Sequence, residues 1–489
     1  MEGSQSIVFG SLLRDRSGSP GPERRQGLGG QSLGRQEFSR WVGMGLGALA
    51  SIAYIWSVSY FSDDFSYLRH QATQDTVWGA LTPSNAFISL IFEQYTHVFF
   101  LYFSSLEVTW LPQVLKTLYV IACLYMCGRF FSLFMPPTLG QAASFLFVFF
   151  PSHESTVYWY LGQYLMLTIS LYFYAYYLAY RQAFGLAVVF ALMASFISYG
   201  SPAPAAAMTI LAWRKLGNRH ALLLLGPNLL YAMYYVVTSK LMGLGIQRLN
   251  DSAPLVLIRQ FVFQMFTFAD ATIGPSVWIK LFYGLGELTL LSALLTLVGA
   301  VVFWRTTNLK ASLVAFRVDR DLLYALTVMT FVAFGMLAIT GRYPNIAFNL
   351  GNRTNIFGTA LLTFLLLWAW SRTRFVTVII ILFILSVTGI SNHWKKWSTI
   401  QAKAITDIQG TLEDTPQIKT LFVSGMQYSR LGAFDHIELF SEAWVVSSIT
   451  ELLTEGQTTA RPLNGNHRLM ENGRLLDIRY DEYQDISEN

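Results

Sequence analysis

The sequence predicts an all-α polytopic membrane protein of about eleven transmembrane helices, with a small C-terminal α/β domain outside the membrane. Three observations predict it. Hydrophobic residues make up 53% of the chain and charged ones only 13%, too few to cover a soluble protein of 489 residues. Apolar runs of about 20 residues, the length that crosses a bilayer, recur between Trp41 and Ile390. Beyond Ile390 the composition shifts to that of a small soluble domain. The net charge of +5 is spread over loops rather than gathered in one stripe, which gives no footprint for nucleic acid.

Residues 1–40 are rich in Gly, Ser and Arg and read as a disordered cytoplasmic segment. They lack the short apolar core of a secretory signal. Arg14, Arg16, Arg24, Arg25, Arg35 and Arg40 precede the first span, Trp41–Phe61, so the positive-inside rule keeps the N-terminus in the cytoplasm. Residues 62–112 interleave apolar and polar positions around Pro83 and read as an outer loop of interfacial helices. Spans are then expected at Gln113–Phe134, Leu139–Phe150, Trp159–Tyr180, Ala183–Tyr199, Ala203–Ala212 and His220–Leu244. A second outer loop with interfacial helices covers 245–275, and spans follow at Ser276–Trp304, Leu322–Ile339, Asn355–Trp370 and Phe375–Ile390. The charges test this count. Arg181, then Arg214, Lys215 and Arg219, then Arg305, Lys310, Arg317 and Arg320, then Arg372 and Arg374 all fall on loops the alternation makes cytoplasmic. The membrane domain is therefore set at 41–391. Odd parity places 392–489 on the outer face, with helix-like periodicity over Trp394–Leu412 and Ile437–Leu453 and strand-like runs at Lys419–Ser424 and Arg474–Tyr480. Cys123 and Cys127, four apart, share a helix face as packing residues.

This topology collects polar residues on the outer side. Asp63, Asp64, Arg69, His70, Glu93 and His97 lie in the first loop, and His153, Glu154, Tyr158 and Gln163 in a short polar turn. Arg248, Asp251, Arg259, Asp270 and Lys280 lie in the long loop. Arg342, Tyr343, Asn345, Asn349, Asn352 and Arg353 precede a late span. Adjacent carboxylates at the water–lipid boundary suit general-base work or a divalent metal. Arginines on the same face suit a phosphate, which a guanidinium grips with two parallel hydrogen bonds. A lipid-linked phosphate meets both needs. Lys280 and Lys240 read instead as snorkelling anchors, and Asp435, His436 and Glu438 as a solvated loop. Glu287, inside an expected span, is either a proton-coupling residue or a carboxylate neutralised by a neighbour.

Ser62-Asp63-Asp64-Phe65, following a first span, resembles the acidic motif of the C-type (GT-C) membrane glycosyltransferases. The stretch from Phe150 to Gln163 is similar to a Pro-x-His-x-Glu…Trp…Gly-Arg pattern of some members, although Glu154 directly follows His153 and Gln163 stands where an Arg is expected. Arg342-Tyr343-Pro344 through Arg353 echoes an Arg-containing outer loop of relatives. The resemblance covers 41–391 and implies an inverting transfer from a polyprenyl-phosphate sugar, without a covalent enzyme intermediate. Asp63 or Asp64 would deprotonate or orient the acceptor hydroxyl, with Asp63 preferred as base. Arg342 and Arg353, then Arg259 and Arg69, would hold the donor phosphate. His153, Glu154, Tyr158, Gln163 and Tyr343 would position donor or acceptor, and a divalent cation (Mg or Mn) would bridge Asp64, Glu154 and the phosphate. The partners so implied are the lipid-linked donor, the bilayer, and a cell-surface glycan or a pilin-like protein as acceptor. Short loops favour a bacterial inner membrane with the site facing the periplasm. Two sequons, at Asn250 and Asn352, would fit an endoplasmic-reticulum relative instead.

Two rival readings share the outer-face location. A lipid-linked glycan polymerase or ligase would rely on Arg259, Arg342 and Arg353 rather than on an early Asp-Asp. A transporter or flippase would use Glu287, but no matching pair of broken helices is visible in the two halves of the sequence.

Overall fold

The computed structural model describes residues 30–84, 88–244, 253–307, 316–341, 345–371, 376–415, 420–454, 456, 458–463, 474–479 and 482–486. The chain is mostly helical, with a small mixed sheet near its C-terminus. Among the described residues, three helices are long and apolar enough to cross a membrane: Trp110–Phe131, Asn218–Leu241 and Arg320–Thr340. A fourth span is formed if Pro254–Gly286 and Leu290–Arg305, bent by 113°, are taken together. Many large apolar side chains on these and neighbouring helices face outward, among them Leu222, Leu255, Phe266, Phe282 and Leu295. Lipid, not water, is the solvent such a surface fits. The protein is a membrane protein.

Several expected boundaries move, each for a local reason. The first helix runs Gly30–Ile55, so it takes in the last eleven residues of the segment expected to be disordered (residues 1–29 lie outside the described residues), and it stops short of Phe61. The backbone of residues 58–61 leaves the helix because other segments take up its polar groups. Lys116 Nζ donates to Val58 O at 2.5 Å, Ser59 N to Ser398 Oγ at 2.8 Å, and Gln401 Nε2 to Tyr60 O at 2.6 Å. Phe61 N donates to Asp64 Oδ2 at 3.0 Å and Phe61 O accepts from Trp159 Nε1 at 3.0 Å. A buried non-helical stretch persists only when most of its N–H and C=O groups find partners, and these contacts supply them. Ser62 then turns the chain at φ 48° into the helix Asp63–Ala72.

Residues 62–112, expected as a loop of interfacial helices, hold the short helices Asp63–Ala72 and Val77–Leu81 and the turns from Ile91 to Phe103. The expected span Trp159–Tyr180 starts only at Gln163, because residues 151–162 form a compact turn. The expected span Ser276–Trp304 is broken into Pro275–Gly286 and Leu290–Thr307. Glu287 sits at that break, where Thr289 and Ser292 cap the next helix by exchanging side-chain-to-backbone hydrogen bonds of 3.1 and 3.2 Å. Glu287 is therefore not inside a continuous span.

The expected boundary between residues 391 and 392 falls inside one helix, Val376–Asp414, of 39 residues. At ~1.5 Å rise per residue it is about 58 Å long, roughly twice a bilayer core, and ties the membrane part to the C-terminal unit. It can press on Pro275–Gly286 because glycines meet at the crossing: a Cβ on Gly389 would lie 1.7 Å from Gly284 O.

In the C-terminal unit, strands β1 (Thr420–Gly425), β4 (Thr459–Leu463), β5 (Arg474–Arg479) and β6 (Glu482–Ile486) form a sheet in the order β4-β1-β5-β6. Both pairs involving β1 are parallel and β5–β6 is antiparallel. Strands β2 (Tyr428–Leu431) and β3 (Phe434–Glu438) form a separate hairpin whose turn uses Gly432 at φ 62°. The helix expected from Ile437 begins only at Ala443, because residues 434–438 pair in this hairpin. The helix Ala443–Thr454 packs on β4 and on Asp63–Ala72.

Two glycines of the long helix should respond oppositely. Gly389→Ala is expected to destabilise by at least about 1–3 kcal/mol through overpacking. Gly410→Ala, with no atom within 4 Å of the added Cβ, should be neutral or stabilising by up to about 1 kcal/mol. Thermal unfolding of the detergent-solubilised variants checks both.

Candidate functional site

The turn from Pro151 to Gly162, its first part expected as a short polar loop and its last residues as the start of a span, is wholly buried. It is a hub to which distant segments bring partners. Leu161 N donates to Asp64 Oδ1 at 3.1 Å, Tyr158 O accepts from Lys116 Nζ at 3.1 Å, and Tyr160 Oη donates to His97 O at 2.6 Å. Tyr158 Oη is hydrogen-bonded to Ser391 Oγ, and its ring stacks on Trp394 at 5.4 Å. Gln163 closes the turn, donating to Val157 O at 3.0 Å and Lys116 O at 3.2 Å. That geometry makes Gln163 a structural clamp.

The two aspartates divide their roles. Asp64 is fully buried, with one oxygen on Phe61 N and the other on Leu161 N. Burial raises its carboxyl above the usual range, against the pull of these two N–H groups and of Lys116. Asp63 is half-buried, and its hydrogen bond is from Trp444 Nε1 to Oδ1 at 2.9 Å. The C-terminal unit is fastened around it: Ser62 Oγ donates to Glu438 Oε1 at 3.0 Å, Ser448 Oγ to Ser66 Oγ at 3.3 Å, and Arg69 pairs with Glu451.

A second cluster surrounds Glu154, which is buried. Its Oε2 accepts from Lys280 Nζ at 2.7 Å and its Oε1 from Asn352 Nδ2 at 2.7 Å. His436 Nε2 lies 3.1 Å from Oε1, in ion-pair range though poorly aligned for a hydrogen bond. Burial alone would raise the Glu154 carboxyl, but Lys280 and then His436 outweigh it and hold it down at about 2. Burial, reinforced by the Lys280 charge, pushes His436 down to about 4, so it is neutral at pH 7. The His436 ring lies 5.4 Å from that of His393, whose Nε2 reaches Ser429 Oγ at 3.0 Å and whose Nδ1 reaches Glu287 Oε1 at 3.4 Å. Glu287 also lies 3.6 Å from Lys396 Nζ.

These contacts correct two expectations. Lys280 does not snorkel: it is fully buried and committed to Glu154 and to Ala347 O. His436 is not in a solvated loop; it is buried against Glu154, although Asp435 beside it is exposed. Lys116 is a further member of the cluster around Asp64, and a lone lysine within an apolar run is its signal in the sequence. A metal bridge between Asp64 and Glu154 does not fit the residues present. The Lys280 ammonium supplies the positive charge at Glu154, and both Asp64 oxygens face backbone N–H groups. Among the described residues no group of three or more His, Cys, Asp or Glu is placed to hold a metal ion.

Among the described residues, Arg353 is the expected phosphate-binding arginine linked to the aspartates through Trp159. Its guanidinium lies over the Trp159 ring at 4.6 Å, and Trp159 donates to Phe61 O, two residues before Asp63. Arg69 is exposed and paired with Glu451, and Arg259 is exposed on the helix Pro254–Thr272. Arg342 and Tyr343 lie outside the described residues, as do Arg248, Asp251 and the Asn250 sequon. Asn352, buried on Glu154, is closed to glycan attachment. His153 is buried, with Nδ1 2.9 Å from Thr156 Oγ1, and burial pushes it down to about 4. Two crevices adjoin the hub, one beside Glu154 and Tyr158 and one beside Lys116 and Tyr160. Each holds at most one water, so a sugar phosphate enters only if the surrounding segments part.

No protein-family model matches the chain, and a search of curated proteins gives no match.

Removing one member of the buried pair strands the other. Lys280→Met is expected to destabilise by about 3–5 kcal/mol, and Glu154→Gln combined with it should recover much of that loss. A double-mutant cycle on thermal unfolding checks it; additive losses would sink the ion-pair assignment. The pH dependence has a definite sign. An unfolded histidine titrates near about 6.5. With its folded value depressed to about 4, His436 contributes stability above about 6.5 that is lost as pH falls through about 4. Glu154 acts in the same direction at lower pH, between about 4.5 and about 2. Limited proteolysis of the C-terminal unit should quicken on acidification from pH ~6.5 to ~4, and His436→Gln should flatten that profile.

Proposed function

We propose that this chain is an inverting glycosyltransferase of the GT-C type, with about eleven spans, moving a sugar from a polyprenyl-phosphate donor to a cell-envelope acceptor. The acceptor is a glycan or a protein, and the site faces the periplasm across the bacterial inner membrane. The observation that carries the reading is the division of the aspartate pair: Asp64 is locked into the fold at both oxygens, while Asp63 is half-buried and accepts its hydrogen bond at Oδ1, at the junction of membrane part and C-terminal unit. A general base needs an accessible oxygen on a rigid support, and Asp64 supplies the support.

In this mechanism Asp63 accepts the proton of the acceptor hydroxyl as its oxygen attacks the anomeric carbon. The bond from that carbon to the phosphate oxygen breaks on the opposite face, and polyprenyl phosphate leaves with the bonding pair. The charge that develops on the phosphate needs a cation, and Arg353, held over Trp159, is the described candidate linked to Asp63. Asp64 acts through Asp63 as a positioning residue, and Glu154 and Lys280 organise the turn that carries Trp159. The mechanism assigns no step to a metal.

Purified protein in lipid nanodiscs, polyprenyl-phosphate sugars and envelope acceptors test the reading. Asp63→Asn should leave the melting temperature unchanged and lower kcat by about 10²–10⁴. Asp64→Asn should lower stability by about 1–3 kcal/mol, since one of its two buried N–H partners loses its acceptor. Full transfer by Asp63→Asn would remove this mechanism and favour an arginine-based glycan polymerase or ligase.

A further inference from the structure

The helix Ala443–Thr454 brings one unexplained side chain to Asp63. Trp444 is 53% exposed, yet its indole N–H is committed to Asp63 Oδ1 at 2.9 Å. An indole that merely anchors a helix at the bilayer surface points its N–H at water and headgroups. This one fixes the carboxylate and leaves its ring open to solvent beside it. A ring with an apolar face at the edge of a polar site is a surface on which the C–H face of a sugar stacks. Glu438 lies close enough to Asp63 for their charges to interact, and Glu442 lies likewise near Glu438, so the surroundings accept hydrogen bonds from hydroxyls and repel anions.

We propose that Trp444 is the acceptor-side residue of this site: its N–H orients Asp63, and its exposed face binds a neutral or amino pyranose, not a uronic or sialic acid. The orienting role and the catalytic consequence rest on the glycosyltransferase reading; the sugar-binding face does not. With Trp444 on Oδ1, the other oxygen of Asp63 is the one presented to the attacking hydroxyl.

Wild type, Trp444→Phe and Trp444→Ala in nanodiscs separate the possibilities. Saturation-transfer NMR uses the methyl glycosides of glucose, N-acetylglucosamine and glucuronic acid as probes. The neutral glycosides should bind to wild type and to Trp444→Phe, the glucuronide to neither, and Trp444→Ala should bind about tenfold more weakly, the effect of ~1.4 kcal/mol. In transfer kinetics Trp444→Phe should keep the acceptor KM and lose about tenfold in kcat, as the N–H is gone but the ring remains. Trp444→Ala should lose both. Binding equal in wild type and Trp444→Ala, or absent from wild type, overturns the proposal; so does faster transfer by Trp444→Ala, which would make the indole a cover. If the binding pattern holds but wild type transfers nothing, the glycosyltransferase reading falls and the sugar-binding face stands.

Discussion

A polar turn buried between helices sets the rest of this architecture. Water cannot satisfy the backbone and side-chain groups of residues 151–162, so each needs a partner from within the protein. The partners come from segments far apart in sequence: Asp64, Lys116, Lys280, Asn352, Ser391 and His436. Each partner fixes the position of its own element. The extended stretch 58–61, the start of Asp63–Ala72, the break near Glu287 and the docking of the C-terminal hairpin are thus solved together rather than one by one.

The same constraint explains why two adjacent aspartates behave differently. Consecutive residues at a helix start point in different directions, so the hub claims only one of them. Asp64 points inward and answers two backbone N–H groups. Asp63 points toward the helix Ala443–Thr454 and stays half-buried. Because Asp64 is hydrogen-bonded at both oxygens, the helix that carries Asp63 cannot rotate without leaving buried N–H groups empty. Rigidity beneath an accessible carboxylate follows from desolvation, without any further device.

The sequence was informative wherever a local signal sufficed. Apolar runs located most helices within a few residues, and the strand-like runs in the C-terminal hundred residues pointed to a small sheet there. It was misleading where long-range partners overrule local preference. Nothing in residues 56–61 announces that side chains from 116, 159, 398 and 401 will take its hydrogen bonds, so an apolar run was read as continuous helix. Lys280 looks like any lysine beside a span until Glu154 is seen 2.7 Å away. His436 sits between two acidic positions, which suggested solvent, but the Gly432 turn places it on the buried side of a hairpin. Of the candidate site, Asp63, Asp64, Glu154 and Arg353 were legible as residue types; their separation into two clusters, one at the surface and one sealed, was not.

The Glu154–Lys280 pair raises a physical question of its own. Burying two charges carries a desolvation penalty that their attraction offsets only in good geometry, and a well-packed apolar pair of equal volume is often as stable. Stability alone is therefore a weak reason for this cluster. Direction is a better one. An apolar contact between the hairpin and the turn would hold at many rotations, whereas Asn352, Lys280 and His436 converge on one carboxylate from three different elements and hold it in one orientation. The hairpin and the helix Ala443–Thr454 are joined by a few residues, so an error in the first is carried into the second. Fixing His436 over Glu154 thereby fixes Trp444 over Asp63, and the sealed cluster governs the geometry of the open one.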